Sequence, residues 1–372
     1  MDFGLTAEQE LLRRTARDVM RTTAPTSWVR AMLRDERGIT PEAWRRMAEL
    51  GWQGLVFPPD HGGAGLTLIE LAIVLEEMGR AVLPGPFLST VIAGLALLYG
   101  GDEAERARWL PGICDGSRVA TLALLEASAC WDPAAITAVA RRAGGEAVLS
   151  GRKLFVPDAH LADLVLCAVR RAEDGTLALV AVEREPAGLV LEEVPSVDRT
   201  RRVFAVTLDG VRVRPGDVLA ADAAGALARV LDAGRVALAA EMCGGAERVL
   251  ELTVEHAKAR RQFGQPIGAF QAIQHACADM MVAVECARVA TCHAAWAVAQ
   301  GAGDAALAAA MAKATASEAY RHVTAQAIQV HGGIGFTWEH DLQLYYKRAL
   351  SSDVTFGDAA WSRERVAQLL GL

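Results

Sequence analysis

The segment from His331 to Thr337 has the composition of a ligand-binding turn, because it places three glycines directly after a long alanine-rich run. Glycine has no Cβ, so the backbone at Gly332 and Gly333 could approach a flat or negatively charged ligand closely. The same pair could instead end a helix, since glycine is the residue that most often follows the last helical turn. This segment alone therefore leaves a binding turn and a helix end as alternatives.

Two further segments combine the same kinds of residue. The segment from Arg260 to Gln274 joins an arginine, several glutamines and two phenylalanines, and the segment from Pro58 to Gly65 contains a second glycine cluster. An arginine guanidinium is a planar fork that suits a phosphate group, and aromatic side chains pack well against flat rings. Together the segments favour the binding of a flat or charged ligand over a simple helix end.

The three segments together resemble motifs of the acyl-CoA dehydrogenase family. The family pattern R-x-x-F-G…F-Q-x-x-Q fits the segment that begins at Arg260, and Q-x-x-G-G-x-G-[FY] fits the segment that begins at Gln329. The pattern P-x-x-x-G-G-x-G…E-E-[LM]-G fits the segment that begins at Pro58 and its continuation, Glu76 to Gly79. The resemblance implies an α+β fold with an N-terminal helical domain, a central small β-domain and a C-terminal four-helix bundle.

The resemblance also implies a reaction and its partners. Family members remove the α-proton of an acyl-CoA thioester with a carboxylate base, while the β-hydrogen leaves as hydride to the N5 atom of FAD. In the family the FAD lies between two subunits, which implies a homo-oligomer or a homologous partner subunit in a heterotetramer. An electron-transfer acceptor protein is the further partner that the family implies.

Composition limits the class of protein. With 372 residues and 52% hydrophobic residues the chain is expected to form about two or three domains. A net charge of −7 without a lysine or arginine run argues against nucleic acid as a partner. No apolar stretch reads as long enough to span a bilayer, and the amino terminus lacks the features of an export signal, so a cytoplasmic protein is expected. The seven cysteines form no C-x-x-C pair, which favours reduced thiols over disulfides or a metal site.

The apolar periodicity changes twice along the chain. It predicts an N-terminal all-α domain over 1–117, a central β-domain over 118–222 and a helical bundle over 223–372. Glycine pairs and Asp-Gly predict hairpin turns at 144–145 and 174–175. Helices are predicted at 6–20, 41–50, 67–79, 86–99, 229–260, 270–300, 304–330 and 340–370, and strands at 147–149, 164–169, 177–182 and 203–208.

The resemblance assigns two sets of flavin contacts, which we call the bundle set and the β-domain set. The bundle set reaches a neighbouring subunit's flavin, with Arg260 at the pyrophosphate and Phe263 near the adenosine part. The remaining members are Gln262, Gln271, Ile273, Gln329, Gly332 and Gly333.

The β-domain set departs from the family pattern. The position of the family's flavin-binding threonine holds Leu125, and the glycine-serine pair that admits phosphate is replaced by Cys130 and Trp131. An indole there should obstruct a phosphate. On the next strand Pro157 offers neither a hydroxyl nor an N–H, although Phe155 could still stack on the flavin.

Neither usual position of the catalytic base holds a carboxylate. The position near the chain end holds Phe356, and the earlier position, just before Arg235, holds Gly234. The resemblance makes Arg235 a candidate substrate-binding residue. Glu241 could replace the base, because a carboxylate in an apolar helix has either a raised pKa or a partner; pairing with a buried arginine or capping a helix is the alternative. Asp353 and Asp358 flank the usual position and are typical of cap or surface residues.

Two hypotheses of different kinds follow. The chain could be a self-sufficient homo-oligomeric dehydrogenase with a displaced base. It could instead be a half-site or non-catalytic structural subunit that lends its bundle set to a partner, an arrangement known for steroid side-chain thioesters. The selective loss of the β-domain set favours the second. A third possibility is a relative that uses the fold for oxygen-dependent chemistry. The spacing of the motifs does not indicate which acyl group the substrate carries.

Overall fold

The computed structural model describes residues 4–184, 186–219 and 222–372. These residues form two compact units, each assembled from separate stretches of chain. The helical unit contains the described residues up to Ala31, together with Leu68–Leu83 and Arg235–Leu372; the sheet unit contains Met32–Thr67 and Pro84–Gly234. Because the units interleave along the sequence, the division at 117 and 222 stays a prediction.

The helices follow the predicted periodicity with small shifts at their ends. Two short helices, α2 and α6, were not predicted; α6 contains Pro111 and begins with a capping box between Asp102 and Glu105. The helices are α1 (Ala7–Thr23), α2 (Thr26–Met32), α3 (Pro41–Glu49), α4 (Leu68–Arg80), α5 (Phe87–Gly100), α6 (Glu103–Cys114), α7 (Ala223–Ala259), α8 (Gln271–Ala299), α9 (Ala305–His331), α10 (Leu342–Val354) and α11 (Ala359–Leu369).

The first helix begins as its sequence predicts. The Thr6 hydroxyl accepts a hydrogen bond from the Gln9 amide at 3.2 Å, and the Gln9 side chain accepts one from the Thr6 amide at 3.0 Å. This reciprocal pair satisfies two amides that the first turn would otherwise leave without partners.

The predicted single helix over 340–370 is wrong, because the chain turns sharply between α10 and α11. Phe356 and Gly357 both have positive φ angles, 60° and 96°. A right-handed helix cannot pass through that region of backbone space. The break places the position of the family's usual base in a tight turn.

The sheet unit is built around one seven-stranded sheet in the order β1-β4-β2-β3-β7-β6, with β5 also pairing with β4. The turn at Gly144 and Gly145 joins β2 to β3, and the turn at Asp174 and Gly175 joins β4 to β5, so both predicted hairpins are confirmed. The strands are β1 (Ala120–Ala123), β2 (Val139–Ala143), β3 (Glu146–Pro157), β4 (Leu164–Arg171), β5 (Leu177–Glu183), β6 (Leu189–Val194) and β7 (Val203–Val213), with a small hairpin β8 (Arg261–Gln262) and β9 (Gln265–Pro266) in the helical unit.

Two glycines allow α4 and α7 to cross closely within the helical unit. A Cβ on Gly79 would lie 1.9 Å from the carbonyl oxygen of Glu241, and one on Gly244 would lie 1.8 Å from that of Glu76. No larger residue fits at either position without moving a helix. The crossing therefore explains the glycine that closes the Glu76 to Gly79 motif.

The expectation that no apolar stretch could span a bilayer needs correction for α8. Its mean hydropathy of 1.2 makes this one helix, among the residues described, long and apolar enough to cross a membrane. This is weak evidence, because helices that pack against other protein chains share that length and composition. Only 33% of the apolar window is buried, and Val282 is 62% exposed, so α8 leaves an apolar face uncovered.

Candidate functional site

A pair of stacked histidines brings the two bundle motifs together. His256 lies on α7 one turn before Arg260, and His331 is the last residue of α9, directly before Gly332. The centroids of the two imidazole rings are 4.1 Å apart, and the rings are nearly parallel at 26°. The arginine motif and the glycine motif, far apart in sequence, therefore share one side of the helical unit.

The glycine segment forms an exposed turn of 3-10 helix over Gly332–Phe336. Gly332 has a φ of 65°, and a Cβ on Gly332 or Gly333 would meet no atom within 4 Å, so the space beside the backbone is open. Gly335 is different, because a Cβ there would lie 2.9 Å from the Ile328 carbonyl oxygen. The first two glycines thus leave room for a ligand, and the third allows close packing.

Arg260 is available to bind an anion. Its side chain is exposed and makes no hydrogen bond or ion pair with any residue that the structure describes. It lies where α7 gives way to the β8–β9 hairpin, whose tip carries Phe263 at a φ of 52° with 91% of its surface exposed. An unpaired guanidinium beside an exposed aromatic ring suits a phosphate-containing ligand with a flat ring.

The other members of the bundle set also point away from the protomer's core. Gln262, Gln271 and Gln329 are exposed, and Ile273 is half-buried at the start of α8. The Gln262 side chain donates to the Arg261 carbonyl at 2.8 Å. These residues fit a dinucleotide that belongs to a neighbouring subunit, as the resemblance implied, because they offer exposed donors and no closed cavity of their own.

In the sheet unit an irregularity in strand β3 leaves Phe155 exposed. The register of β3 against β7 shifts between Lys153 and Val156, and Phe155 takes a φ of 53° with 47% of its surface exposed. A bulky residue held at positive φ is strained, and such strain is common where a side chain is positioned for function. The exposed ring of Phe155 is therefore suited to stacking on a flat ligand.

The neighbouring flavin positions in the sheet unit do not fit a flavin. Leu125 is buried, its side chain has no hydroxyl to donate to a flavin ring, and its carbonyl already accepts the amide of Leu154 at 2.8 Å. The Pro157 carbonyl is occupied as well, because it accepts the Thr121 hydroxyl at 2.6 Å. The sheet unit thus lacks the polar contacts that the family pattern supplies.

Glu126 anchors the altered loop instead of serving a ligand. Its carboxylate accepts hydrogen bonds from Lys153 at 2.6 Å and from the amides of Thr137 and Ala138 at 2.8 and 2.9 Å. Burial opposes ionisation, but the hydrogen bonds from Lys153 and Thr137 lower the pKa of Glu126 below its usual value. The loop that holds Cys130 and Trp131 is therefore fixed at both ends by one ionised carboxylate.

The structure does not support Glu241 as the catalytic base. Its carboxylate lies 2.5 Å from a guanidinium nitrogen of Arg348, and both side chains are buried. Arg348 also donates to the Leu83 carbonyl at 3.1 Å. A carboxylate paired in this way is stabilised as the anion and held away from a substrate proton. The alternative of a glutamate paired with a buried arginine is what the structure contains.

Two buried cations hold the turn that carries Phe356. Arg235 donates from Nε to the Phe356 carbonyl at 3.2 Å, and Lys313 donates to the carbonyls of Gly357 at 2.8 Å and Asp353 at 2.7 Å. A Cβ on Gly357 would lie 2.5 Å from the Trp361 ring. The strained turn is therefore retained, although an apolar residue occupies it. Arg235, expected at a substrate, is engaged by this turn.

Lys313 was missed by the sequence reasoning. It is fully buried on α9, and its ammonium also donates to the Ser317 hydroxyl at 2.8 Å. Burial lowers the pKa of Lys313 to about 7. A single lysine inside the apolar run 305–316 was the available signal, because a buried charge needs a set of partners.

The two flanking aspartates have structural roles. Asp353 accepts from Arg321 at 2.9 Å, and Asp358 caps α11 by accepting the Trp361 amide at 2.7 Å. One carboxylate oxygen of each aspartate is engaged in this way, while the Oδ1 atom of Asp353 is buried without a hydrogen bond to any described residue. The site as a whole can bind a phosphate-containing dinucleotide through the bundle set, and it lacks a carboxylate in the turn where the family places its base.

Comparisons with known proteins agree with this geometry. Residues 6–117 match the family model of the acyl-CoA dehydrogenase N-terminal domain, and residues 224–371 match that of the C-terminal domain. The chain is 35% identical over 354 residues to the acyl-CoA dehydrogenase IpdE2 of Mycolicibacterium smegmatis, covering 95% of this chain and 96% of that protein.

Solved structures show the same fold. A variant of the Tcur3481-Tcur3483 steroid ACAD has a TM-score of 0.89 and 35% identity, with 98% of each chain covered. The ChsE4-ChsE5 complex from Mycobacterium tuberculosis has a TM-score of 0.91 and 26% identity, covering 100% of this chain and 99% of the other. The helical, β and helical order of the resemblance is thereby confirmed. The chain belongs to the acyl-CoA dehydrogenase family, whose members are FAD-dependent oxidoreductases acting on CH–CH bonds.

Proposed function

We propose that this chain is a half-site subunit of a heteromeric acyl-CoA dehydrogenase that catalyses α,β-dehydrogenation of an acyl-CoA thioester. The observation that carries the proposal is the turn at Phe356. Its strained backbone is held by two buried cations and its side chain is a phenylalanine, so within this proposal the base comes from the partner subunit. A phenylalanine cannot accept the α-proton.

Within this proposal each chain has a defined task. Bound FAD supplies the acceptor for the β-hydride. This chain's Arg260 holds the pyrophosphate of the partner's flavin, while the open backbone at Gly332 and Gly333 lies along the dinucleotide and Phe263 packs near its adenosine part. The partner contributes the β-domain contacts and the carboxylate, and electrons leave to an electron-transfer acceptor protein.

Two kinds of observation support a heteromer. Arg260 and most of the bundle set are exposed, and the Arg260 side chain has no partner among the described residues, whereas the polar groups of the sheet unit are engaged by Leu154, Thr121 and Lys153. The likeness to the Tcur3481-Tcur3483 steroid ACAD and to the ChsE4-ChsE5 complex adds to this, since both names contain two chains. We extend the steroid ACAD likeness to the substrate and propose a bulky acyl group, such as a steroid side chain, on the thioester.

One observation favours the self-sufficient enzyme as a second candidate. Phe155 keeps an exposed, strained position suited to stacking on a flavin held by this chain's own sheet unit. A homo-oligomer would then need a base other than Glu241. A purely structural subunit is the remaining alternative.

Location follows from the same proposal. The seven cysteines are free thiols in the described residues, which suits a reducing compartment. We therefore propose that the protein acts in the cytoplasm.

The test compares the chain alone with the chain co-expressed with a homologous subunit that carries a glutamate in the matching turn. The proposal predicts a colourless chain alone and a yellow complex with one flavin for each pair of unlike chains, bleached by acyl-CoA thioesters. About one flavin per subunit in the chain alone, bleached by thioester, would sink the half-site proposal.

Phe356→Glu, with Phe356→Gln as its matched control, separates the candidates further. If the chain's own flavin site is incomplete, neither variant alone becomes yellow or active. If the self-sufficient candidate is right, the wild type and both variants are yellow, and Phe356→Gln still bleaches with thioester, because the base lies at another residue.

A further inference from the structure

Three histidines surround the exposed glycine turn of the bundle set. His256 comes from α7, His331 ends α9 and His340 follows the turn. The ring centroids of His256 and His331 are 4.1 Å apart, and those of His331 and His340 are 4.7 Å apart with the rings edge to face at 62°. We call this group the imidazole stack. It connects the residues on both sides of Gly332–Phe336 with the helix that leads to Arg260.

One hydrogen bond of the stack, at His340, requires an uncharged ring, whereas the bond at His331 can form in either protonation state. The Nδ1 atom of His331 lies 2.7 Å from the Ala327 carbonyl, which only accepts, so this nitrogen carries the proton. The Nδ1 atom of His340 accepts the Leu342 amide at 3.2 Å and therefore carries none. Protonating His340 would remove the acceptor that holds the first amides of α10.

The charges around the stack also disfavour protonation. Burial lowers the pKa of His331 to about 4, and the neighbouring His256 and His340 act in the same direction. Burial, His340 and Arg260 lower the pKa of His256. Burial lowers the pKa of His340; Asp341 opposes this and Arg30 adds to it.

A metal does not explain the stack. No group of His, Cys, Asp or Glu in the described part of the chain could hold a metal ion. The rings face each other rather than converging with their nitrogens on one point. Their contact is a packing contact that depends on neutrality.

We propose that the imidazole stack positions the glycine turn Gly332–Phe336 for the dinucleotide and does so only while its rings are uncharged, so that the turn opens as the pH falls. The role of the turn as a flavin contact rests on the proposed function. His256, His331 and His340 are then positioning residues, and none of them takes part in proton transfer to substrate.

The size of the effect follows from the two states of the turn. In the closed turn the pKa of His331 is about 4, whereas in an open turn it would return toward the usual value of about 6.5. At a pH between these two pKa values, His331 binds a proton more readily in the open turn than in the closed turn. For one proton the population of the open turn should rise by about twentyfold between pH 7 and pH 5.

Hydrogen exchange of the full chain measures this opening directly, after correction for the intrinsic pH dependence of exchange. Peptides that cover 332–341 should open about twentyfold more often at pH 5 than at pH 7. His331→Phe keeps a flat ring and removes the proton site. In this variant the opening of the turn should change by about 3-fold at most between pH 7 and pH 5. His322→Phe, an exposed position on the same helix, is the matched control and should follow the wild type.

His340→Asn is a second variant in case His331→Phe does not fold, because an asparagine side chain keeps an acceptor for the Leu342 amide and cannot be protonated. It should reduce the pH dependence. A wild-type turn whose corrected opening does not change between pH 7 and pH 5, or a pH dependence that both variants retain, would overturn the proposal.

Exchange in the presence of FAD, with the chain in its flavin-binding assembly, distinguishes this inference from the proposed function. Protection of 332–341 by FAD at pH 7 that disappears at pH 5 in the wild type and persists in His331→Phe supports both. If the turn opens at low pH but FAD does not protect it at pH 7, the imidazole stack still positions the turn. That result would count against the flavin half-site.

Discussion

Arg348 and Glu241 form a buried ion pair in which Nη1 and Oε1 are 2.5 Å apart. Glu241→Leu would leave the Arg348 charge buried without its partner. We expect the free energy of unfolding to fall by about 3–5 kcal/mol, measured by urea denaturation at pH 7. The double variant with Arg348→Met should recover most of that loss, since two apolar side chains can replace a buried pair. A single variant as stable as the wild type would show that the pair is dispensable and would reopen the question of a catalytic role.

Lys313 should make the stability of the protein depend on pH on the alkaline side. Its pKa of about 7 in the folded chain lies below the usual 10.5 of an unfolded lysine. The unfolded chain therefore binds more protons between these values, and the free energy of unfolding should rise as the pH rises from 7 toward 10.5. This contribution is lost as the pH falls back to 7.

The check is a series of urea denaturations of the wild type and Lys313→Met between pH 7 and pH 9.5. The difference in unfolding free energy between the two should grow with pH. The exposed Lys258→Met is the control and should give a constant difference. A difference for Lys313→Met that is equally constant would contradict the lowered pKa.

Glu126 should give the opposite dependence, on the acid side. Its pKa is lowered in the folded chain by hydrogen bonds from Lys153 and Thr137, although burial opposes this. Its contribution is therefore present above the usual value of 4.5 and is lost as the pH falls through the lower folded value. Glu126→Gln should lower stability at pH 7 by about 3–5 kcal/mol, because the Lys153 charge remains buried.

The matched control for Glu126→Gln is Glu192→Gln. Glu192 pairs with Arg152 at 2.7 Å, but both side chains are 58% exposed. An exposed pair contributes only about 0–1 kcal/mol. Thermal denaturation from pH 7 to pH 3 should show the wild type approaching Glu126→Gln below about pH 4.5. Equal costs for the two variants would mean that the loop does not depend on the buried carboxylate.

The apolar face of α8 predicts where subunits associate. Met281, Val282 and Val289 are exposed on this helix. Val282→Lys and Val289→Lys should shift the protein toward the monomer in sedimentation, because a lysine charge is costly at the centre of an apolar interface. Leu11→Lys, at an exposed leucine on α1, should leave the assembly unchanged. Normal assembly of both α8 variants would place the interface elsewhere.

Arg260 should be sensitive even to a conservative change. Lysine keeps the charge but lacks the planar fork that binds a phosphate with two hydrogen bonds. In the flavin-binding assembly Arg260→Lys should weaken FAD binding by about tenfold, measured by flavin fluorescence, which corresponds to the ~1.4 kcal/mol of one charged hydrogen bond. Arg261→Lys, at the neighbouring exposed arginine, should bind FAD as the wild type does.

The bundle set could be proposed from the sequence because its signals are local. An arginine, a phenylalanine and a glycine pair at fixed spacing need only a helix end and a turn to become exposed together. The sequence did not predict what holds them, since the contact between His256 and His331 joins residues from two helices. The fate of Glu241 was open for the same reason: an apolar helix shows that a carboxylate needs a partner, but not that Arg348 is that partner.

The break between α10 and α11 shows the limit of periodicity. The prediction of one helix passed over a local signal, since Gly357 and Asp358 are typical of a helix end and of an N-cap. The positive φ at Phe356 costs about 1–3 kcal/mol, and contacts from Arg235 and Lys313 help to offset it. The interleaving of the two units was hidden, because segments such as Leu68–Leu83 join a core that is completed by distant residues.

The exposure of Phe263 at the hairpin tip, together with Phe336 and Trp338, has a consequence for how the protein is made in the cell. A newly synthesised copy that has not yet met another subunit presents three bare aromatic rings to the crowded interior, where such surfaces adhere to unrelated chains. Synthesis in step with its binding partner would shorten that interval. Overproduction without a partner should instead yield inclusion bodies or chaperone-bound material.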